Sequence, residues 1–184
     1  MDNATKKTDL VYQTRTRAVA LGLSFRIEVE KDVSFLTELY GSTRAKELTH
    51  VPWTTAQKAA FLAQQFQAQR SHYRKYYAGA VWLIVERAGS PIGRLYLDFS
   101  SREVRIIDIT LAPAARAKGF GTALLQDVIE EATLVGKSVS IHVERMNPAF
   151  SLYSRLGFQE IEDKGVYLLM EHPGGAADLA SAEC

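Results

Sequence analysis

Apolar and polar residues alternate strictly along Phe25-Arg26-Ile27-Glu28-Val29-Glu30, which predicts a strand with one buried face. Asp32 follows where a helix N-cap would stand, and Phe35, Leu36, Leu39 and Tyr40 then recur at helical spacing. Pro52 breaks the chain. Thr54 or Thr55 can cap a second helix to about Tyr77, with Leu62, Phe66, Tyr73 and Tyr76/Tyr77 on one side and glutamines on the other. Ala80–Arg87, Ile92–Phe99 and Val104–Leu111 read as strands joined by turns at Gly89-Ser90-Pro91 and Ser100-Ser101-Arg102, an antiparallel meander. The apolar spacing then changes to three and four at Phe120, Leu124, Val128, Ala132 and Val135, a helix that Gly136 can end. Ser138–Val143 is another strand, Pro148–Leu156 a short helix closed by Gly157, and Phe158–Ile161 and Val166–Glu171 are two more strands.

The order β-α-α-β-β-β-α-β-α-β-β describes a single domain of the α/β or α+β class. Residues 1–24 are polar and weakly patterned and are expected to form a flexible extension; residues 25–172 form the domain, and residues 173–184 a flexible tail. A chain of 184 residues can bury its core without disulfides or a metal. Its 22 Lys+Arg against 21 Asp+Glu leave a charge of +1, which argues against a protein built to hold a phosphate backbone. Cys184 is the single cysteine, so a disulfide framework and a CxxC pair are excluded and a cysteine nucleophile is not expected. The longest strongly apolar run, Ala80 to Val85, is far short of a membrane span, and no secretory signal is visible. A cytoplasmic protein is expected, acting on neither nucleic acid nor membrane.

The most informative stretch is Leu111-Ala112-Pro113-Ala114-Ala115-Arg116-Ala117-Lys118-Gly119-Phe120-Gly121-Thr122, between a strand and a helix. A helix N-terminus presents unpaired N–H groups and partial positive charge, which suits a phosphate. Gly119 and Gly121 bare the backbone there, while Arg116 and Lys118 add charge; an ordinary turn is the plain alternative. A Walker A loop would need a lysine between Gly121 and Thr122, and a dinucleotide fingerprint a third glycine where Leu124 stands. Neither fits.

Arg116-x-x-Gly119-x-Gly121, after a strand ending in Leu111-x-Pro113, resembles the acetyl-CoA pyrophosphate loop of the GNAT superfamily of N-acetyltransferases. Val143-x-x-x-Asn147-x-Ala149-x-x-x-Tyr153-x-x-x-Gly157-Phe158 is similar to a second segment of that superfamily. The resemblance runs from about Phe25 to Glu171 and includes Gly93 in the third strand. Val51-Pro52-Trp53 and Arg105-Ile106-Ile107-Asp108-Ile109 resemble a bacterial subgroup without assigned substrates. It implies one mixed, mostly antiparallel twisted sheet of about seven strands, with helices on both faces and splayed central parallel strands.

The same resemblance implies acetyl-CoA as co-substrate, its pantetheine arm against the backbone of Ile109, Thr110 and Leu111. Its pyrophosphate would lie on the amides of Arg116, Ala117, Lys118, Gly119, Phe120, Gly121 and Thr122. Leu111 N–H would face the oxyanion, and Asn147 would touch the cofactor. Tyr153, at the family's acid position, would return a proton to the departing thiolate; packing between Tyr153 and Leu156 is the alternative. An alkylamine with a pKa of about 10 must lose a proton before it attacks. Period-two alternation puts Ile106, Asp108 and Thr110 on one strand face, so Asp108 is the first candidate base, with a structural carboxylate as the other reading. His142 and Glu144, which also read as a solvent-facing pair, are second candidates, and Glu28 a weaker one.

Acceptor specificity is expected between Tyr40 and Tyr77 and at Asp163-Lys164-Gly165. His50, Trp53, His72, Tyr73, Tyr76 and Tyr77 could form an aromatic wall or simply lay a stripe on the sheet. The four histidines, His50, His72, His142 and His172, lack ligand-like spacing, so no metal is expected. The resulting expectation is an N-acetyltransferase working by direct attack in a ternary complex, on a small-molecule or peptide amine; dimers are frequent in the superfamily. The alternative is a non-catalytic acyl-CoA-binding sensor or interaction module.

Overall fold

The structure, a computed structural model, describes residues 15–175. Its elements are α1 (Thr16–Ala20), β1 (Leu23–Ile27), a 3₁₀ turn (Glu30–Asp32), α2 (Val33–Arg44), α3 (Thr55–Tyr76), β2 (Val81–Arg87), β3 (Ser90–Phe99) and β4 (Glu103–Leu111). A second 3₁₀ turn (Pro113–Ala115), α4 (Phe120–Leu134), β5 (Ser138–Glu144), α5 (Phe150–Arg155), β6 (Gln159–Lys164) and β7 (Tyr167–His172) complete it. All seven strands lie in one sheet, ordered β1-β2-β3-β4-β5-β7-β6. Only β4 and β5 are parallel, joined by α4; every other pair is antiparallel.

Side-chain alternation divides the core into two layers. Leu83, Val85, Leu95, Leu97, Val104, Ile106, Val139 and Ile141 meet Ala18 of α1, Leu124 and Val128 of α4, and Tyr153 of α5. On the opposite face Ile84 meets Leu36, Leu39 and Tyr40 of α2 and Phe66 of α3. Helices therefore cover both faces, as expected. Among the described residues no helix is long and apolar enough to cross a membrane.

Several boundaries move for local reasons. Thr54 caps α3, accepting from Gln57 N–H at 3.2 Å, while the Gln57 side chain accepts from Thr54 N–H at 2.8 Å. Asp32 does not cap α2: its carboxylate turns back to Val29 N–H (2.9 Å) and to Arg26 (2.6 and 2.8 Å). The β2–β3 turn is Ala88-Gly89, both at positive φ (50° and 75°), so Ser90 and Pro91 belong to β3, with Pro91 beside a bulge.

The expected boundary at residue 24 is wrong for residues 15–24. Ala18 is fully buried, and the buried Asp127 carboxylate of α4 accepts from the backbone N–H of Arg17 (3.2 Å) and Ala18 (2.9 Å), capping α1 from across the fold. Arg15 pairs with Glu131, and Arg17 with Glu130. Residues 1–14 and 176–184, including Cys184, lie outside the described residues.

Asp127→Ala removes both acceptors and leaves two buried amides of α1 unpaired. It is expected to cost about 2 kcal/mol in urea unfolding. A change below about 0.5 kcal/mol would show that α1 does not depend on this cap.

Candidate active site

Parallel pairing between β4 and β5 runs from Glu103↔Ser138 to Ile106↔Ile141 and stops, although both strands continue, to Leu111 and Glu144. The change follows a bulge: Tyr96 of β3 faces Asp108 while Leu97 faces Ile106, leaving Ile107 as the extra residue. Ala112 N–H donates to Ile92 C=O at 2.8 Å, so the peptide groups of Leu111 and Ile109, one and three residues back, face away from β3 into the gap. Thr110 faces the other way. Its backbone pairs with Arg94 of β3 and its hydroxyl donates to Asp108 at 2.7 Å, so it does not present its main chain to the gap as expected. The bulge corrects a second expectation: Ile106 joins the α4-side core, whereas Asp108 and Thr110 share the α3-side face with Arg94.

At the end of the gap the chain passes from Pro113–Ala115 through an exposed loop into α4. Ala117 and Gly119 take positive φ, 58° and 81°, and Gly119 begins the helix without a side-chain cap. The first-turn N–H groups of α4 thus have no intrahelical acceptor, and they follow directly on the exposed residues 116–119. A side chain at Gly121 would enter between Leu111 of β4 and Leu152 of α5, at 3.9 and 3.8 Å, in the mouth of the gap. Gly93 admits no side chain, because a Cβ would lie 2.5 Å from Thr110 C=O. The exposed Arg116 does not point out over the loop. Its Nε donates to Leu111 C=O (2.8 Å) and its Nη2 to Ser42 Oγ (2.9 Å).

Asp108 is fully occupied. Oδ1 accepts from Arg94 Nε (2.9 Å) and Thr110 Oγ1 (2.7 Å), and Oδ2 from Arg94 Nη2 (2.7 Å) and Tyr73 (3.4 Å). Four donors fill the lone-pair sites of one carboxylate. Arg94 is buried, also donates to Gln69 of α3 (3.0 Å), and lies near the Phe66 and Tyr96 rings. Glu28 is likewise enclosed, by Tyr96, Arg70 and Arg74. Glu144 differs: Oε1 accepts from Arg44 of α2 (3.0 Å) and Tyr167 (3.4 Å), while Oε2 has no partner among the described residues. His142 Nδ1 lies 3.1 Å from Arg105, and burial, then the Arg105 charge, hold its pKa below the ordinary imidazole value.

Tyr153 approaches from the other side of the sheet, its ring against Phe158 at 5.8 Å. Burial first, then the Asp108 charge, push its pKa above the usual phenol value. Its hydroxyl has no hydrogen-bond partner among the described residues. Asn147 Oδ1 accepts from Ala149 N–H (2.9 Å), setting the turn into α5, and the side-chain NH₂ has no partner among the described residues.

The aromatic segment divides. Tyr73 reaches Asp108, whereas Trp53 meets Phe61 edge-on (5.2 Å) and Tyr76 lies over His72 (4.4 Å), both exposed. His50 is exposed and Tyr77 meets Tyr73 edge-on, so these residues form no continuous wall. Arg94, Arg44, Ser42 and Tyr167 went unforeseen. An arginine in the middle of the strand Ile92–Phe99, flanked by Gly93 and Leu95, was the available signal for Arg94, a signal of the kind that drew attention to Asp108.

Arg94→Leu leaves Asp108 as an unpaired, mostly buried charge and is expected to cost about 3–5 kcal/mol. Adding Asp108→Leu should recover part of that loss. A double variant as unstable as the sum of the singles would mean that the pair is not coupled.

The sequence profile of the acetyltransferase (GNAT) family matches residues 44–158, spanning the gap, the loop and α5. No curated protein sequence matches the chain. Among solved structures it is similar to the PaiA N-acetyltransferase of Thermoplasma acidophilum in complex with coenzyme A, at 16% identity and TM-score 0.62 over 82% of this chain and 98% of that one. An acetyltransferase from Thermus thermophilus gives 17% identity and TM-score 0.59 over 82% and 96%. The ribosomal-protein-S18-alanine N-acetyltransferase of Escherichia coli gives 16% and 0.54 over 83% and 94%. Identities this low speak for the fold alone; the profile match, which covers most of the chain, speaks for the family. With its seven-stranded sheet open between β4 and β5, the protein belongs to the GNAT family of acetyltransferases and is an acyltransferase enzyme.

Proposed function

We propose that the protein transfers the acetyl group of acetyl-CoA to a primary amine of a small molecule or peptide, by direct attack in a ternary complex in the cytoplasm. The observation that carries this reading is the edge of β4 that β5 leaves open: the Ile109 backbone and the Leu111 N–H face the gap, which ends beside the first-turn amides of α4. An extended pantetheine arm can pair with such an edge, and a pyrophosphate with helix N-terminal amides. The amides of residues 117–122 supply the seat, Lys118 adds charge, and the Asn147 NH₂ can donate to the cofactor.

In the reaction the neutral amine nitrogen attacks the thioester carbonyl and Leu111 N–H donates to the oxyanion. The C–S bond then breaks, and the thiolate takes a proton from Tyr153. Tyr153 holds its proton at physiological pH, as an ordinary phenol already does. Asp108, with its lone pairs occupied, is a positioning residue in this reading, not the base. Asp108 and Glu144 are the two carboxylates on the unpaired ends of β4 and β5, and Glu144 keeps one oxygen free, so Glu144 receives the amine proton, directly or through water.

Isothermal titration with CoA and thiol release with acetyl-CoA plus spermidine, tyramine or an alanine-initiated peptide test the reading. Amine-dependent thiol release is expected; CoA binding without it would favour a binding module. Gly121→Glu should abolish CoA binding by placing bulk and negative charge in the mouth of the gap, and retained binding would refute the seat.

Tyr153→Phe should lower kcat by about 10²-fold or more while CoA affinity changes less than about threefold. Because the hydroxyl has no hydrogen-bond partner among the described residues, folding stability should be unchanged, and loss of folding would mark Tyr153 as structural. Glu144→Gln should remove the acidic limb of the kcat/KM profile, and Asp108→Asn should retain it. The opposite pattern would return the base to Asp108.

A further inference from the structure

We propose that Arg116 is a positioning residue for the amine acceptor and not a phosphate ligand. The inference rests on the acetyl-CoA reading above and concerns the other half of the same site. Arg116 begins the loop beside the phosphate seat, yet its guanidinium is engaged by the end of β4 and by α2 at the surface. Nε holds the gap-facing carbonyl of Leu111 at 2.8 Å, and Nη2 holds Ser42 Oγ in the last turn of α2 at 2.9 Å. The Ser42 hydroxyl spends its own proton on Leu39 C=O at 2.7 Å, so it can receive Arg116 only as an acceptor. One planar guanidinium therefore fixes α2 relative to the end of β4.

Two residues further along the same turn, Arg44 reaches the other lip of the gap, with Nη2 3.0 Å from Glu144 Oε1 on β5. The last turn of α2 is thereby tied to both diverging strands, to β4 through Arg116 and to β5 through Arg44. The loop, Gly121 and Leu152 occupy the α4 and α5 side of the gap, where the cofactor enters. An amine must approach from the opposite face, past the turn of α2 that these two arginines hold. Removing Arg116 frees that turn and with it the placement of Arg44 and Glu144. The phosphate seat is made of main-chain amides and does not depend on this guanidinium.

The test uses the full chain as wild type, Arg116→Ala, Arg116→Lys and Ser42→Ala. CoA affinity is read by calorimetry, and KM for acetyl-CoA and for the fastest of the three amines by initial rates. All three variants are expected to raise the amine KM at least fivefold while the CoA Kd stays within twofold; lysine keeps the charge but cannot make both bonds. Tenfold weaker CoA binding by Arg116→Ala with an unmoved amine KM would make Arg116 a phosphate ligand and overturn the proposal. No change in either quantity would overturn it equally. Hydrogen exchange gives a readout without turnover: residues 40–44 should exchange faster in Arg116→Ala and Ser42→Ala while residues 117–122 stay as in wild type, and equal exchange at 40–44 refutes the tie. Absence of CoA binding by the wild type would instead defeat the acetyl-CoA reading itself.

Discussion

A parallel strand pair that stops pairing while both strands continue leaves main-chain donors and acceptors at the middle of a sheet, where they are normally consumed. β4 and β5 do this after Ile106 and Ile141, and the remaining architecture is arranged around the vacancy. The bulge at Ile107 redirects β4, and β3 secures its far edge through Ala112 N–H and Ile92 C=O. Gly93 allows β3 and β4 to approach where any side chain would strike Thr110. An unmade main-chain hydrogen bond costs about 1–3 kcal/mol when buried. The gap must therefore stay open to water or to a ligand that can replace it.

The bulge also decides which chemistry each side of the gap receives. Val104 and Ile106 lie toward α4, but the extra residue turns Asp108 and Thr110 toward α3, into a layer holding Arg94, Gln69 and Tyr73. Arg94 is buried near the Phe66 and Tyr96 rings and brings two rigid donors to Asp108, which hold the carboxylate in one orientation. A carboxylate whose acceptor sites are all taken by protein donors organises its surroundings. Glu144 stands at the rim, held through one oxygen only, which is the better arrangement for a group that must gain and lose a proton.

The glycines and the tyrosine helix were readable because their demands are local. Gly119 must take φ 81°, and Asn147 sets a turn with an amide two residues away. The face of Ile106 was not readable: Ile106 and Ile107 are chemically alike, so no composition signal marks the bulge that overturns the period of two. Asp108 stood out as an acid in an apolar strand, but its partner Arg94 did not, because their pairing required the register of β3 on β4. The helix α1 was missed for a related reason. Its five residues carry little periodicity, and the group that caps it, Asp127, lies about a hundred residues downstream.

Two arginines illustrate how position in a motif and role in a structure can separate. Arg116 supplies the first letter of the glycine loop, and its main chain does turn toward α4. The side chain is free to answer a different demand, because the loop's anion site is built from N–H groups that any residue possesses. The unsatisfied carbonyl nearest to Arg116 is that of Leu111, exposed by the same divergence that makes the cleft. The opening thus creates both the place where a ligand can bind and the orphan acceptor that draws Arg116 away from it. Strand divergence gives Arg116 a partner in Leu111, and through Ser42 ties the end of β4 to a helix whose own seat is the core packing of Leu36, Leu39 and Tyr40.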